Sequence, residues 1–118
     1  MKEQFPARML RIHFTEADKW QGKPLYQAIV AKCSELGLSC VMVYRGMEGF
    51  GASARIHHAR SLSFSKHAPI MVSVIDTEEQ IQKLIPHLDE MIAGGLVASS
   101  KVEVIRYSRP SGGSPANG

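Results

Sequence analysis

The sequence predicts a mixed α+β domain in which two helices cover one face of a four-stranded antiparallel sheet. Four short stretches have the alternating or continuous apolar pattern of strands, at 8–14, 39–44, 69–76 and 101–107. Two longer stretches, at 24–36 and 78–92, repeat apolar residues every three to four positions, as helices do. The length of 118 residues suits a single domain with one hydrophobic core.

Composition limits the classes of partner. A hydrophobic content of 44% and a charged content of 21% are typical of globular proteins. The pI near 9.0 suits an anionic ligand but falls short of a nucleic-acid-binding arm, so we expect no nucleic-acid partner. Without a signal peptide or a long apolar run, we expect a cytoplasmic protein. Cys33 and Cys40 indicate buried, reduced thiols.

The first half of the chain is predicted to run strand, helix, strand. Residues 8–14 place three apolar side chains on one face and Arg11 and His13 on the other. A polar connection follows, in which Trp20 covers an edge of the core. The first helix begins near Gly22–Pro24 and ends at Gly37 in a left-handed conformation. Its buried stripe consists of Leu25, Ile29, Cys33 and Leu36.

The second half repeats this plan in the order strand, helix, strand. Thr77 is predicted to cap the second helix, with Gln80 as its capping-box partner. That helix continues through a kink at Pro86 to Gly94–Gly95. Its core stripe consists of Ile81, Leu84, Ile85, Leu88, Met91 and Ile92. The last strand is predicted at Lys101–Tyr107, so residues 1–107 form one domain and residues 108–118 a disordered tail.

This order is the ferredoxin-like βαββαβ arrangement with a four-stranded antiparallel sheet and a long loop between strands two and three. Two helices cover only one face of such a sheet. Both faces of the second and third strands nevertheless carry apolar residues. Because a bare apolar face normally marks an interface, we expect a homo-oligomer formed through the open face.

The loop at 45–66 carries the excess charge of the chain. Its four basic residues and one acid give +3, which equals the net charge of the whole chain. Gly46, Gly49 and Gly51 let backbone amides approach an anion, while Arg45 and Arg55 add guanidinium donors. We interpret the loop as an anion-binding element; the alternative is a hairpin tip with solvated arginines. The nearby Ser61, Ser63 and Ser65 lack a partner acid, so we expect no catalytic residue.

Three runs resemble the PII-like signalling proteins, and among them an uncharacterised bacterial PII-like family. The runs are RGMEGFG with RIHH at 45–58, PIMVSVIDTEEQIQKLIPHLDEMI at 69–92 and GGLVASSKVEVIRY at 94–107. The resemblance implies a ferredoxin-like homotrimer that binds an adenine nucleotide (ATP, ADP or AMP) as effector and needs no cofactor. It also implies that the long loop regulates a target protein, for example a membrane transporter.

The resemblance also implies where the nucleotide binds. In PII proteins the base of the long loop and the loop before the fourth strand of a neighbouring subunit form the cleft. Arg45, Gly46, Gly49, Gly51 and Arg55 fall on the first of these loops. The other side falls on Gly94, Gly95 and Lys101, with Arg106 following on the last strand. The second loop reads GGLVASSK where PII proteins have a G-x-G-K phosphate cradle.

Two alternatives remain open. A trimeric scaffold could bind a metal ion through Glu48, His57, His58 and His67, although adjacent histidines in a strand point to opposite faces. An RNA-binding ferredoxin-like module would present aromatic side chains to bases. The central strands offer mainly Val, Met and Ile, so this alternative ranks lower.

Overall fold

The computed structural model describes residues 1–47 and 68–110 of the chain. The long strands are β1 (Lys2–Thr15), β4 (Cys40–Arg45), β5 (Pro69–Asp76) and β6 (Leu96–Tyr107). The helices are α1 (Leu25–Leu36) and α2 (Glu78–Met91), and α2 continues through Pro86. Two short strands, β2 (Lys19–Trp20) and β3 (Lys23–Pro24), pair with each other. No helix in the described parts of the chain is long and apolar enough to cross a membrane.

The four long strands form one antiparallel sheet in the order β4-β5-β1-β6. Its central strand β1 pairs with β5 on one side and with β6 on the other. This order confirms the α+β, ferredoxin-like βαββαβ fold predicted from the sequence. The stretch expected to be a polar connection contains a hairpin instead. Gln21 and Gly22 form its two-residue turn, and both have positive φ, as in type I′ turns.

The core lies between the sheet and the two helices. Both central strands and both helices contribute buried side chains to it: Leu10 and Ile12 of β1, Val72 and Val74 of β5, and residues of the predicted stripes of both helices. Trp20 packs against the same cluster, as expected. Burying a single side chain of this size stabilises a fold by about 1.5–3 kcal/mol, so alternation in β1 and β5 is enough to orient the sheet.

The helix ends follow the predicted capping residues, with one correction. Gly37 ends α1 with φ 80°, and Thr77 accepts a hydrogen bond from the Gln80 amide. The Gln80 side chain, however, donates to the carbonyls of Leu36 and Gly37 at 3.3 Å. It therefore caps the last turn of α1 and ties the two helices together.

Two strands are longer than their sequence pattern indicates. β1 begins at Lys2, and residues 2–7 of β1 pair only with residues 102–107 of β6, as a ribbon that extends beyond β5. Most of its side chains are exposed, so no burial period marks the ribbon. β6 begins at Leu96 and not at the expected Lys101. The ribbon ends where Met1 and Ser108 exchange backbone hydrogen bonds, and residues 111–118 of the predicted tail lie outside the described residues.

The two cysteines differ in environment, which corrects one expectation. Cys33 is fully buried in α1, whereas Cys40 is exposed. Cys40 begins the edge strand β4 and pairs with Ile75 on the face that the helices do not cover. Burial raises the pKa of the Cys33 thiol from 9.0 to about 11.

Candidate binding site at the loop end of the sheet

Arg45 and Gly46 stand where β4 enters the long connection. The Arg45 Nε donates to the Glu16 Oε1 at 3.1 Å, and the Gly46 amide donates to the Pro69 carbonyl at 2.8 Å. A Cβ built on Gly46 would lie 2.8 Å from the Pro69 Cγ, too close for any larger residue without a shift. The base of the connection is therefore tightly closed.

Glu16 contacts both ends of this connection. Its amide donates to the Ala68 carbonyl at 2.8 Å, just before β5, and its carboxylate accepts from Arg45, at the end of β4. Glu16 lies in a turn in which the Asp18 amide donates to the Thr15 carbonyl at 3.1 Å. The Asp18 carboxylate in turn accepts from the Thr15 amide at 2.8 Å.

Gly95 lies against the backbone of β1. Its φ is 139°, and a Cβ there would overlap the His13 carbonyl oxygen. Because only glycine tolerates both this φ and this contact, the chain can turn directly from α2 into β6. At Gly94, by contrast, nothing lies within 4 Å of the position that a Cβ would take. The helix ends at Met91, three residues before the predicted glycine pair.

The register brings these glycines and Arg45 to one end of the sheet but to opposite edges. Arg45 pairs with Ile70, which pairs with Phe14. Leu96, directly after Gly95, pairs with His13. Three strand spacings separate the β4 edge from the β6 edge, which is about 14 Å. Within one copy, Arg45 and the glycines cannot hold the same phosphate group.

Lys101 is not in the loop before the last strand, which corrects the sequence interpretation. It lies within β6, opposite Arg8, five residues or about 17 Å beyond Leu96. Arg8 donates to Glu78 at 2.6 Å and to Ser99 at 2.7 Å. The hydrogen bond from Arg8, followed by one from Gln82, lowers the pKa of the Glu78 carboxyl below its ordinary value.

Arg106 lies still farther along β6, on the ribbon. Its guanidinium carbon is 5.1 Å from the centroid of the Phe5 ring, and an η nitrogen is 3.4 Å from Glu3. Arg106 lines an open groove of about 410 Å³ together with Asp76 and Gln80. In a single copy this groove is at the opposite end of the sheet from Arg45.

The other residues assigned to the loop fall in the part of the chain that the structure does not describe. Gly49, Gly51 and Arg55 lie outside the described residues, as do Glu48, His57, His58 and His67 of the metal alternative. Within residues 1–47 and 68–110, no group of three His, Cys, Asp or Glu side chains could hold a metal ion.

The face of the sheet away from the helices is apolar at the same end. One cross-strand row runs Tyr44, Met71, His13 and Leu96. The next row begins with Met42, which is 53% exposed, and contains Arg11 at its centre. Neighbours in such rows share a face, so these side chains form one continuous surface, called the open face below.

Sequence reasoning missed Glu16. It stands in a polar stretch whose composition indicated only a connection. The pattern T-x-x-D at 15–18 is typical of a tight turn closed by a side chain, and this signal could have marked the segment as ordered. Its contact with Arg45 spans 29 positions and has no local signature.

Comparisons with known proteins identify the family of the chain. The sequence profile of DUF190, described as Uncharacterized ACR, matches residues 7–104. The chain belongs to this family. A relative, the UPF0166 protein of Aquifex aeolicus (strain VF5), is 32% identical over 101 residues, which cover 83% of this chain and 92% of the relative.

Solved structures extend the likeness to PII-like proteins. CPII from Thiomonas intermedia K12, bound to ADP and bicarbonate, superposes with a TM-score of 0.64 at 18% identity, covering 86% of this chain and 91% of CPII. A putative PII-like signaling protein from Thermus thermophilus gives 0.60 at 17% identity, with 88% and 92% covered. The PII-like resemblance inferred from the sequence is confirmed, and these structures establish the shared fold.

Proposed function

We propose that this protein is a PII-like regulatory protein, and not an enzyme, that binds an adenine nucleotide between subunits of a homotrimer. The observation that carries the proposal is the placement of Arg45 and Gly46 at one edge of the sheet and of Gly94 and Gly95 at the other. A second copy whose β6 edge approaches the β4 edge of the first would complete a cleft. The binding of ADP by CPII supports the choice of ligand.

The residues suit the phosphate part of a nucleotide. Arg45 supplies a guanidinium that forms charge-assisted hydrogen bonds with phosphate oxygens. Nothing lies within 4 Å of the position that a Cβ on Gly94 would take, so the backbone on the other side of the cleft can approach an anion closely. Three or four such contacts at roughly 1.5–3 kcal/mol each correspond to micromolar affinity.

The open face supplies the self-association surface in this proposal. Met42, Tyr44 and Leu96 are 53%, 46% and 45% exposed on it. A contact between two different edges is heterologous, and repeating it with a closing rotation gives a ring such as a trimer. Lys101 and Arg106 lie on the same β6 edge, about 17 Å and about 34 Å beyond Leu96, so in that ring they would extend the contact between copies along β6 and would not hold the phosphates.

The regulatory output would come from the 45–66 loop, since Arg45 at its start and Ala68 just beyond it both contact Glu16 beside the cleft. Gly49, Gly51 and Arg55 would contribute to ligand binding from within the loop. The target would be a partner protein, for which a membrane transporter is our leading candidate on the resemblance to PII proteins.

Titration calorimetry of the purified protein with ATP, ADP and AMP tests the proposal. We expect saturable binding of at least one nucleotide, and Arg45→Ala should weaken it by about tenfold, the effect of one charge-assisted hydrogen bond. Lys32→Ala is the matched control, because Lys32 is a cation paired with Glu35 on α1, far from the cleft. The absence of heat with all three nucleotides would refute nucleotide binding.

A further inference from the structure

We infer that Glu16 is a positioning residue that fixes the Arg45 guanidinium at the base of the candidate cleft. The inference rests on the proposed function and adds to it a residue from outside the two cleft-forming loops. It starts from the 3.1 Å hydrogen bond between the Arg45 Nε and the Glu16 Oε1.

The position of the Glu16 backbone is fixed by hydrogen bonds that do not involve the Glu16 side chain. The Thr15–Asp18 turn is closed by a backbone hydrogen bond and by the Asp18 carboxylate, which accepts from both the amide and the hydroxyl of Thr15. On the far side of the turn, the Leu25 amide donates to the Asp18 carbonyl at 2.8 Å. Glu16 is thus anchored between β1 and α1.

Glu16 also fixes the position of Ala68, the residue that precedes β5, relative to the sheet. The Glu16 amide donates to the Ala68 carbonyl, which continues the pairing of β1 with β5 by one residue. This backbone bond does not involve the side chain, so Glu16→Ala and Glu16→Gln both retain it. The Glu16 carboxylate accepts from Arg45 at the end of β4. Glu16 therefore contacts the residues on both sides of the connection between β4 and β5.

The Glu16–Arg45 contact orients the Arg45 guanidinium and contributes little to the stability of the fold. The Glu16 and Arg45 side chains are 33% and 43% exposed, and ion pairs at such sites add little to folding free energy. An acceptor fixed on Nε nevertheless restricts the rotation of the guanidinium, whose planar fork must be aligned with a phosphate. Holding a ligand-binding group in its bound orientation raises affinity by reducing the ordering cost of binding.

Two variants distinguish the role of the Glu16 oxygen as a hydrogen-bond acceptor from the role of its negative charge. Glu16→Ala removes the acceptor, while Glu16→Gln keeps an oxygen at the same position without the charge. We expect Glu16→Ala to weaken ADP binding by about fivefold and Glu16→Gln to stay within about twofold of the wild type. In an Arg45→Ala background, Glu16→Ala should have no further effect. Glu35→Ala, which removes an exposed ion-paired acid on α1, is the control.

Each outcome is decisive. Equal affinities of the wild type and Glu16→Ala would overturn the inference, and so would tighter binding by both variants, which would show that Glu16 competes with the anion by its charge. The Arg45 Nε–Hε resonance provides a readout without ligand: it should shift in Glu16→Ala and shift less in Glu16→Gln. An unshifted resonance would overturn the inference, whereas a shifted resonance in a protein that binds no nucleotide would refute only the proposed function.

Discussion

The carbonyl oxygen of His13 occupies the space that a Cβ on Gly95 would need. This contact joins the central strand β1 to the turn that leads from α2 into β6. It fixes the position of the glycine side of the candidate cleft relative to the sheet. The next residue, Leu96, pairs with His13 itself, so β6 begins directly after the turn.

Gly95→Ala should destabilise the protein by about 2–3 kcal/mol, because the new Cβ meets backbone at a φ that alanine rarely adopts. Chemical denaturation at constant m-value measures this change. Gly94→Ala is the matched control and should change stability by less than about 0.5 kcal/mol, since nothing lies within 4 Å of the position that the new Cβ would take. Equal stabilities of the two variants would show that the His13 contact is not a constraint.

Cys33 should remain an unreactive thiol in the folded protein. In a Cys40→Ser variant only Cys33 remains, and its burial raises its pKa to about 11. Thiol labelling at mildly alkaline pH should be slow in buffer and fast in urea. Below the ordinary thiol pKa of 9.0 the group is protonated in both states, so the raised pKa has no effect on stability there; the free energy of unfolding should fall as the pH rises from 9.0 towards about 11. Rapid labelling of the native variant would contradict the burial of Cys33.

Met42→Lys should dissociate the proposed homotrimer. The substitution adds a second cation to the row of the open face that already contains Arg11, and a buried unpaired charge costs several kcal/mol. Sedimentation equilibrium should change from three times 13.0 kDa to 13.0 kDa, while circular dichroism stays unchanged. Gln27→Lys on the exposed surface of α1 is the control. If both variants sediment like the wild type, the open face is not the interface.

The sequence predicted those elements that bury one face. Leu10, Ile12 and Phe14 alternate because the helices cover one side of β1, and this alternation located the strand. Residues 2–6 are mostly exposed, so the ribbon carries no such period. Its pairing is fixed by long-range hydrogen bonds, such as the one between Ser108 and Met1, which leave no local pattern.

The candidate site was predictable only in part, because contacts between distant segments leave no local sequence pattern. Glycines and arginines indicated an anion site, and the structure puts Arg45 and Gly95 at one end of the sheet. Lys101 lies beside Arg8 because of the register between β1 and β6, and an exposed strand carries no apolar pattern from which a register could be inferred. Glu16 was missed because its role depends on a contact between distant segments.

In the proposed trimer the nucleotide binds between copies at the loop end of the sheet. A crystal structure of the protein with ADP tests this placement. We predict ADP phosphates in contact with Arg45 of one subunit and with the backbone at Gly94–Gly95 of its neighbour. ADP bound within one subunit, or in the groove lined by Phe5 and Arg106 at the other end of the sheet, would rule out this placement.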